Sequence, residues 1–413
     1  MIATAAKNPY APLKIPEFRN FIAGRFIFIM GLRMTGTVIG WWMYLLTNSK
    51  LALGFVGLSE VIPALSLALY AGHRIDRTEK RQLLLKCIIL YAFCILLLIG
   101  LSANYTSEHV DAWNIALMMC FVIAGTGAIR AFSGPTFSAM LAQIVPRDLL
   151  ATSASISSAT WLTASIVGHA AGGFGIAVIG INGTFIVILA FIFSGYIMLT
   201  RLLPKPIFAT NATRTWHSVR EGLEFVMKTK VMLGAITLDL FAVLFGGAVA
   251  LIPVFAKDIL HVGPIGFGWL NAAADIGSII MVTILTISPL KRNQGRILLY
   301  AIAAFGVFII LFALSDIFWL SFTALLLSGC MDGISVIVRS TIFQLYTPDE
   351  LRGRVSSVNS MFINSSNELG QFESGVAAKL LGTVQSVVFG GCMTIGVVIV
   401  TWFKAPSLRK MQY

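Results

Sequence analysis

Twelve long apolar runs, set apart by short polar gaps, constrain this 413-residue chain more than any other feature. They lie at roughly 21–46, 51–71, 83–103, 113–138, 150–178, 181–203, 231–256, 265–288, 295–314, 317–340, 355–380 and 384–403. Each is long enough to cross a hydrocarbon layer of ~30 Å, for which a helix needs about 20 apolar residues. With 57% hydrophobic and 12% charged residues and a mean hydropathy of +0.86, no soluble core could hide so much apolar surface. In lipid a spanning segment must satisfy its own backbone polar groups, so the runs are predicted to be helices of an all-α integral membrane protein. The start, MIATAAKNPYAPLKIPEFRNF, lacks a short apolar core followed by a cleavage site, and the first run is read as a retained helix. Cys87, Cys94, Cys120, Cys330 and Cys392 all fall inside apolar runs without metal-ligand spacing and read as small buried hydrophobes.

The formal charge of +12 would fit a nucleic-acid partner, but its placement argues for a membrane instead. If the chain starts inside, only Lys50, Lys257 and Lys379 fall on the outer side, in gaps or at the outer end of a run, and Arg25, Arg33, Arg130 and Arg339 lie deeper within runs. The remaining Lys and Arg occupy inner gaps, the inner ends of runs and the termini. This positive-inside bias predicts an inner (cytoplasmic) membrane protein with both termini cytoplasmic. Trp41, Trp42, Tyr44, Trp113 and Trp319 fall at predicted outer boundaries, where they read as interfacial anchors.

The longest inner gap divides the chain. Within it Trp216, Val219, Leu223 and Val226 recur at helical spacing against Arg220, Glu221, Glu224 and Lys228, predicting an amphipathic helix on the inner membrane surface. The expected organisation is a six-helix bundle over 1–203, a linker over 204–230 and a second six-helix bundle over 231–413. The halves resemble one another: with Pro146 set on Pro348, Ser155 matches Ser357, Gly168 matches Gly370 and Gly173 matches Gly375. Pseudo-symmetric bundles around a midplane site are a transporter's plan.

One gap is densely charged: GHRIDRTEKR, residues 72–81. Gly72, Asp76, Arg77, Lys80 and Arg81 match the signature that the major facilitator superfamily carries in this loop. There a Gly would permit close helix approach, and an Asp would pair with Arg and backbone donors of the facing bundle, a clasp closing one conformation. The counterpart in the second half, SPLKRNQGR, has the bases but no acid. EFRNFIAGRFIFIMG, VPRDLLA, LIPVFAKDIL and above all TPDELRGRVSSVNSMF resemble the exporter branch that holds enterobactin exporters, macrolide efflux pumps and related lysophospholipid transporters. The resemblance implies the major facilitator fold, alternating access and proton-coupled export. It also implies that spans one, four, seven and ten line the cavity. Antiporters of the family carry Gly-Pro ahead of Gly-Gly in span five. This chain reads GHAAGG, keeping Gly168, Gly172 and Gly173 for close helix packing and placing His169 where the proline would be.

Ionisable groups at mid-span cost about 2.5–3.5 kcal/mol each on insertion scales, so each needs a partner, water or a function. On the cavity-lining spans these are Arg25, Arg33, Arg130, Asp239, Asp332 and Arg339. Arg33, closest to mid-depth, is the candidate for an acidic part of a substrate, while Arg25, Arg130 and Arg339 lie near enough to span ends to snorkel. Asp239 and Asp332 are candidate counter-charges of Arg33 or proton carriers. Asn364, Asn367, Glu368 and Gln371 share one helical face, as do Asn271, Asp275 and Ser278. Such faces serve either as interhelical glue or as a water-lined path. Substrate contacts are thus expected at Arg33, Asp239, Asp332, Asn364 and Glu368, and proton exchange at Asp239, Asp275, Asp332 and Glu368. Glu60 and Glu373 stay open between the two readings.

The five histidines show no metal or catalytic spacing and no nucleotide-binding loop is present, so neither an enzyme nor a cofactor is expected. The expected partners are a small-molecule substrate, protons and the lipid bilayer, with the chain acting as a monomer. A lysophospholipid transporter and a transporter-fold sensor are the alternatives.

Overall fold

A computed structural model describes residues 10–206, 215–290, 292–348 and 351–412. The side chains of Asp76 and Asn364, two predicted site residues, lie outside the described residues, as do those of Trp216 and Val219. The described residues form helices and turns, with no strand among them. The principal helices are α1 (Pro16–Thr47), α2 (Lys50–Arg77), α3 (Lys80–Leu101), α4 (Ala112–Ile144) and a helical stretch Leu150–Thr200. At 1.5 Å per residue that stretch would reach ~76 Å as a rod, more than twice the hydrocarbon thickness.

It is instead a hairpin. Gly180 has φ +73°, a left-handed conformation that glycine adopts without penalty, and there the stretch turns back. Gly168 and Gly172 face Arg33 and Thr37, so the limb 150–179, named α5, runs parallel to α1. Gly24 and Gly31 face Leu199 and Ile192, so the limb 181–200, named α6, runs antiparallel to it. A shorter helix, α7 (Thr215–Lys228), follows, then α8 (Lys230–Gly246), α9 (Gly263–Ile287), α10 (Gln294–Leu314), α11 (Phe318–Tyr346), α12 (Arg352–Leu381) and α13 (Thr383–Lys404). Irregular helical turns carry the chain from Ala248 to Ile259.

Ten helical stretches among the described residues are long and apolar enough to cross a membrane, against twelve runs in the sequence. Two features make the difference. The hairpin counts as one stretch, Arg147–Thr200, and α12 does not count because Asn367, Glu368, Gln371 and Glu373 dilute it. α3 shows how lipid replaces a core: Leu84, Ile88 and Ile95 are buried, while Ile89, Leu90, Phe93 and Leu96 are exposed.

Tight turns follow local chemistry. Asn48 ends α1 in the left-handed region, and Ser49 caps α2 by accepting from the Ala52 N–H at 3.3 Å. Glu79 caps α3, accepting from the Arg81 and Gln82 N–H groups at 3.0 and 2.9 Å. This gives one acid of the charged knot a local, structural role. On α7, Val226 is buried and Leu223 and Phe225 pack on a cluster from α8, α10 and α12, so its apolar face meets protein. Glu221 pairs with Arg354 on α12. The exposed Glu224 carboxylate is held below its usual range, by its hydrogen bond and then its charge attraction to Lys228. That support is present above the ordinary Glu pKa and is lost as pH falls through the depressed value.

Helices α1–α6 and α8–α13 meet along two seams where glycines let the backbones approach closely. Along one, α2 and α12 run antiparallel, Gly54 against Gly375 and Gly57 against Glu368 and Gln371. Along the other, α5 meets α9, where a Cβ on Gly173 would lie 2.4 Å from the Pro264 carbonyl oxygen and one on Gly268 2.7 Å from that of His169. Around the Asn48 end of the molecule, Trp41 stacks near Phe267 (centroids 5.4 Å), Phe55 near Phe372 (5.7 Å) and Lys257 over the Tyr44 ring (5.1 Å), and the Tyr44 hydroxyl donates to Asp258. Trp41, Trp42 and Tyr44 are therefore buried in packing, which corrects their reading as interfacial anchors; Trp113 and Trp319, 57% and 72% exposed, remain at the surface. Cys392 is also exposed, contrary to its expected burial.

Gly173→Val is expected to loosen the Asn48 end and lower stability by about 1–3 kcal/mol, the usual cost of overpacking. Gly72→Ala, at a position whose added Cβ meets nothing within 4 Å, is expected to change neither. Thermal unfolding in detergent compares the two.

Candidate functional site

Three groups of charged side chains stand within the helices. The first joins α8 to α11: the Arg339 guanidinium pairs with Asp239, both buried, and its Nε donates to the Ser335 hydroxyl at 3.1 Å. Asp332, one turn back from Ser335 on α11, lies 3.9 Å from the same guanidinium and keeps 42% of its side-chain surface open. A closely paired, hydrogen-bonded ion pair offsets the desolvation of each charge, which neither could sustain alone.

The second group links helices on both sides of the α2–α12 seam. Arg130 on α4 donates to Glu60 on α2 at 2.8 Å and to Glu368 on α12. Arg130 and Glu60 remain partly open, whereas Glu368 is buried and its Oε2 has no hydrogen-bond partner among the described residues. The third group surrounds Arg33, just past the middle of α1. Its guanidinium lies 4.6 Å from the centre of the Trp161 ring on α5, a cation–π contact. Further along α5, Ser165 donates to Asp275 of α9 at 2.5 Å. His169 lies 2.8 Å from the Thr37 hydroxyl through Nδ1 and 3.9 Å from Asp275 through Nε2. Ser157, Trp161, Ser165 and His169 recur every four residues, so one stripe of α5 serves Arg25, Arg33, Asp275 and Thr37 in turn.

Several expectations change with these contacts. Asp239 and Asp332 are set around Arg339 rather than Arg33, because Arg339 lies two turns from Asp332 on α11 and α8 brings Asp239 to the same face. Arg130 and Arg339 do not snorkel, because carboxylates from neighbouring helices hold them inside. The shared face of α12 divides: Glu368 turns to Arg130, while Asn367 is exposed and bonds back to the Ile363 carbonyl at 2.9 Å. On α9, Asn271 bonds its own helix, Asp275 turns to α5 and Ser278 donates to the Gly329 carbonyl of α11 at 3.0 Å.

In the last turns of α2, Gly72 makes no close approach, since nothing lies within 4 Å of where its Cβ would be. Arg77 is exposed, and Arg81 donates to the Thr200 carbonyl at the end of α6, in its own half, at 2.6 Å. Lys80 is buried and reaches the Thr78 carbonyl at 3.2 Å. Sequence reasoning missed Trp161, Ser165 and Thr37 as partners, although the four-residue stripe on α5 is a signal that could have found the first two. Among the described residues no cluster of His, Cys, Asp or Glu is arranged to hold a metal. A groove of about 350 Å³ beside the start of α1, walled by Leu13, Ile22, Phe26 and Thr160, holds none of the predicted site residues.

Paired charges thus stand among apolar helices, and the profile of the family described as transmembrane secretion effector matches residues 7–412. The chain belongs to that family, within the major facilitator superfamily. The MFS-type transporter YkuC of Bacillus subtilis is 22% identical, covering 94% of this chain and 92% of its own. The enterobactin exporter EntS of Shigella flexneri is 24% identical over 83% and 80%. The solved D-xylose–proton symporter superposes with a TM-score of 0.75 at 12% identity, covering 98% of this chain and 100% of that one, which shows the fold. The protein is a secondary transporter of small molecules with the many-helix major facilitator fold.

Asp239→Asn is expected to cost about 1.5–3 kcal/mol, the loss of one charge-assisted hydrogen bond, because the buried Arg339 then keeps only the more distant Asp332 as counter-charge. Replacing both partners by apolar residues of similar volume, as in D239L with R339M, is expected to restore most of that. Unfolding midpoints of the single and double variants check it.

Proposed function

We propose that this transporter exports an amphiphilic small molecule bearing an anionic group, of the siderophore or drug-like class, in exchange for protons. The observation that carries the reading is Arg33. Among the described residues it makes no ion pair and rests on the Trp161 face, whereas Arg130 and Arg339 are each paired with carboxylates. A cation on an aromatic platform suits an anionic, ring-bearing solute. The name of the EntS relative supports export of a siderophore.

In this reading the chain makes twelve passes, the hairpin of α5 and α6 supplying two and α12 another. The passes form bundles over 1–203 and 231–413 in the inner membrane, with both termini cytoplasmic and the protein a monomer. Asp332, Asn364 and Glu368 join Arg33 at the substrate, with Asp239 behind them, and Asp239, Asp275, Asp332 and Glu368 are the proton carriers. Gly72, Asp76, Arg77, Lys80 and Arg81 close the cytoplasmic side in the opposite conformation, which fits the open space at Gly72 while the Asn48 end is packed.

Purified protein in vesicles with an imposed pH gradient, offered a labelled catecholate siderophore, a macrolide and a lysophospholipid, tests the reading. Proton-driven movement of one of the first two is expected, with substrate affinity weakened roughly tenfold or more in Arg33→Gln, the loss of one charge-assisted contact. Unchanged affinity in that variant, or movement of the lysophospholipid alone, refutes it.

A further inference from the structure

The α5–α9 seam holds a polar chain that neither half completes alone. The Thr37 hydroxyl of α1 donates to the Arg33 carbonyl at 3.1 Å, which leaves its oxygen to accept from His169 Nδ1–H at 2.8 Å. With the proton on Nδ1, the Nε2 of a neutral imidazole carries a lone pair, and it faces Asp275 Oδ2 at 3.9 Å across the seam. That oxygen already accepts from Ser165 at 2.5 Å. A few residues along, Gly173 and Gly268 bring the two backbones into contact.

We propose that His169 is the positioning residue of a proton-operated gate at the Asn48 end. With a proton on Asp275, the carboxyl and the imidazole close from 3.9 Å to hydrogen-bond distance, the O–H donates to Nε2, and the chain then runs unbroken from α9 through α5 to α1. Without that proton, a carboxylate lone pair faces an imidazole lone pair, only the Ser165 bond still crosses the seam, and the repulsion at Nε2 favours its parting. The step is a protonation: water on the accessible side gives the proton to the carboxylate, and water on the other side receives it. The charged groups whose fields reach Asp275 are Arg33 from α1 and Asp332 from α11. Lys257 and Asp258, in the turns before α9, are engaged with Tyr44. Arg33 is also the charged neighbour of His169. The inference rests on the proton-coupled reading above and assigns it a place and a partner.

Spin labels at Leu45 on α1 and Ile265 on α9, both exposed, report the gate once the five native cysteines are replaced. As pH is lowered stepwise from alkaline to acid, the long-to-short population ratio of the parent is expected to drop roughly tenfold, as linkage to one proton allows. Asp275→Asn is expected to stay short throughout. His169→Ala is expected to stay long throughout. His169→Gln, whose amide can accept from a carboxyl or turn to donate to a carboxylate, is expected to stay short at both ends of the range. If His169→Ala does not fold, His169→Asn replaces it, holding Thr37 without reaching Asp275. A parent without a response, a response surviving in Asp275→Asn, or a His169→Ala or His169→Gln profile equal to the parent's overturns the inference. Gating that responds while vesicles show no proton-driven flux refutes the coupling and leaves the gate. Proton-driven flux with an unaltered His169→Ala gate does the reverse.

Discussion

A charge placed in hydrocarbon has to find an opposite charge, a hydrogen bond or water, and much of this molecule's interior follows from that demand. Arg339 draws Asp239 and Ser335 together and so fastens α8 to α11. Arg130 gathers Glu60 and Glu368 and so joins α2 and α4 to α12. The side chains at these points are buried not by apolar preference but by mutual neutralisation, and the apolar remainder of each helix is free to face lipid.

Glycine provides the complementary constraint. Where charges tie helices through long side chains, the glycine positions of α2, α5, α9 and α12 let backbones touch directly. Attraction between helices in lipid has no hydrophobic drive of its own, so close van der Waals contact and polar links must supply it.

The helices were legible from hydropathy because a lipid-facing run of about 20 apolar residues has few other uses. The packing of Gly168, Gly172 and Gly173 was legible only through the resemblance to the family's span-five motif, and these glycines do lie against Met30, Met34 and Gly268. Pairing was not. Asp239 sits on a different helix from Arg339, far off along the chain, and no local pattern favours that partner over Arg33. Nor could local pattern show that Trp41 and Trp42 turn inward, since an aromatic at a span boundary serves equally as an anchor or as packing. The charged knot, which runs from the end of α2 into α3, could have been read in part: Glu79 stands four residues before the apolar run of α3, a place where a carboxylate can cap a helix, whereas the partner of Arg81 on α6 lies beyond any local signal.

The glycine seams also bear on speed. Where two glycines meet, the backbones can slide or lift apart with no rotamers to disengage at that point, much as smooth plates separate more readily than meshed teeth. Gly54 against Gly375 and Gly173 against Gly268 are contacts of that kind. The resistance to separation then resides in a handful of discrete fasteners, Tyr44 with Asp258 and Trp41 with Phe267 among them, so that the rate of turnover can be tuned at single positions without remaking the surfaces themselves.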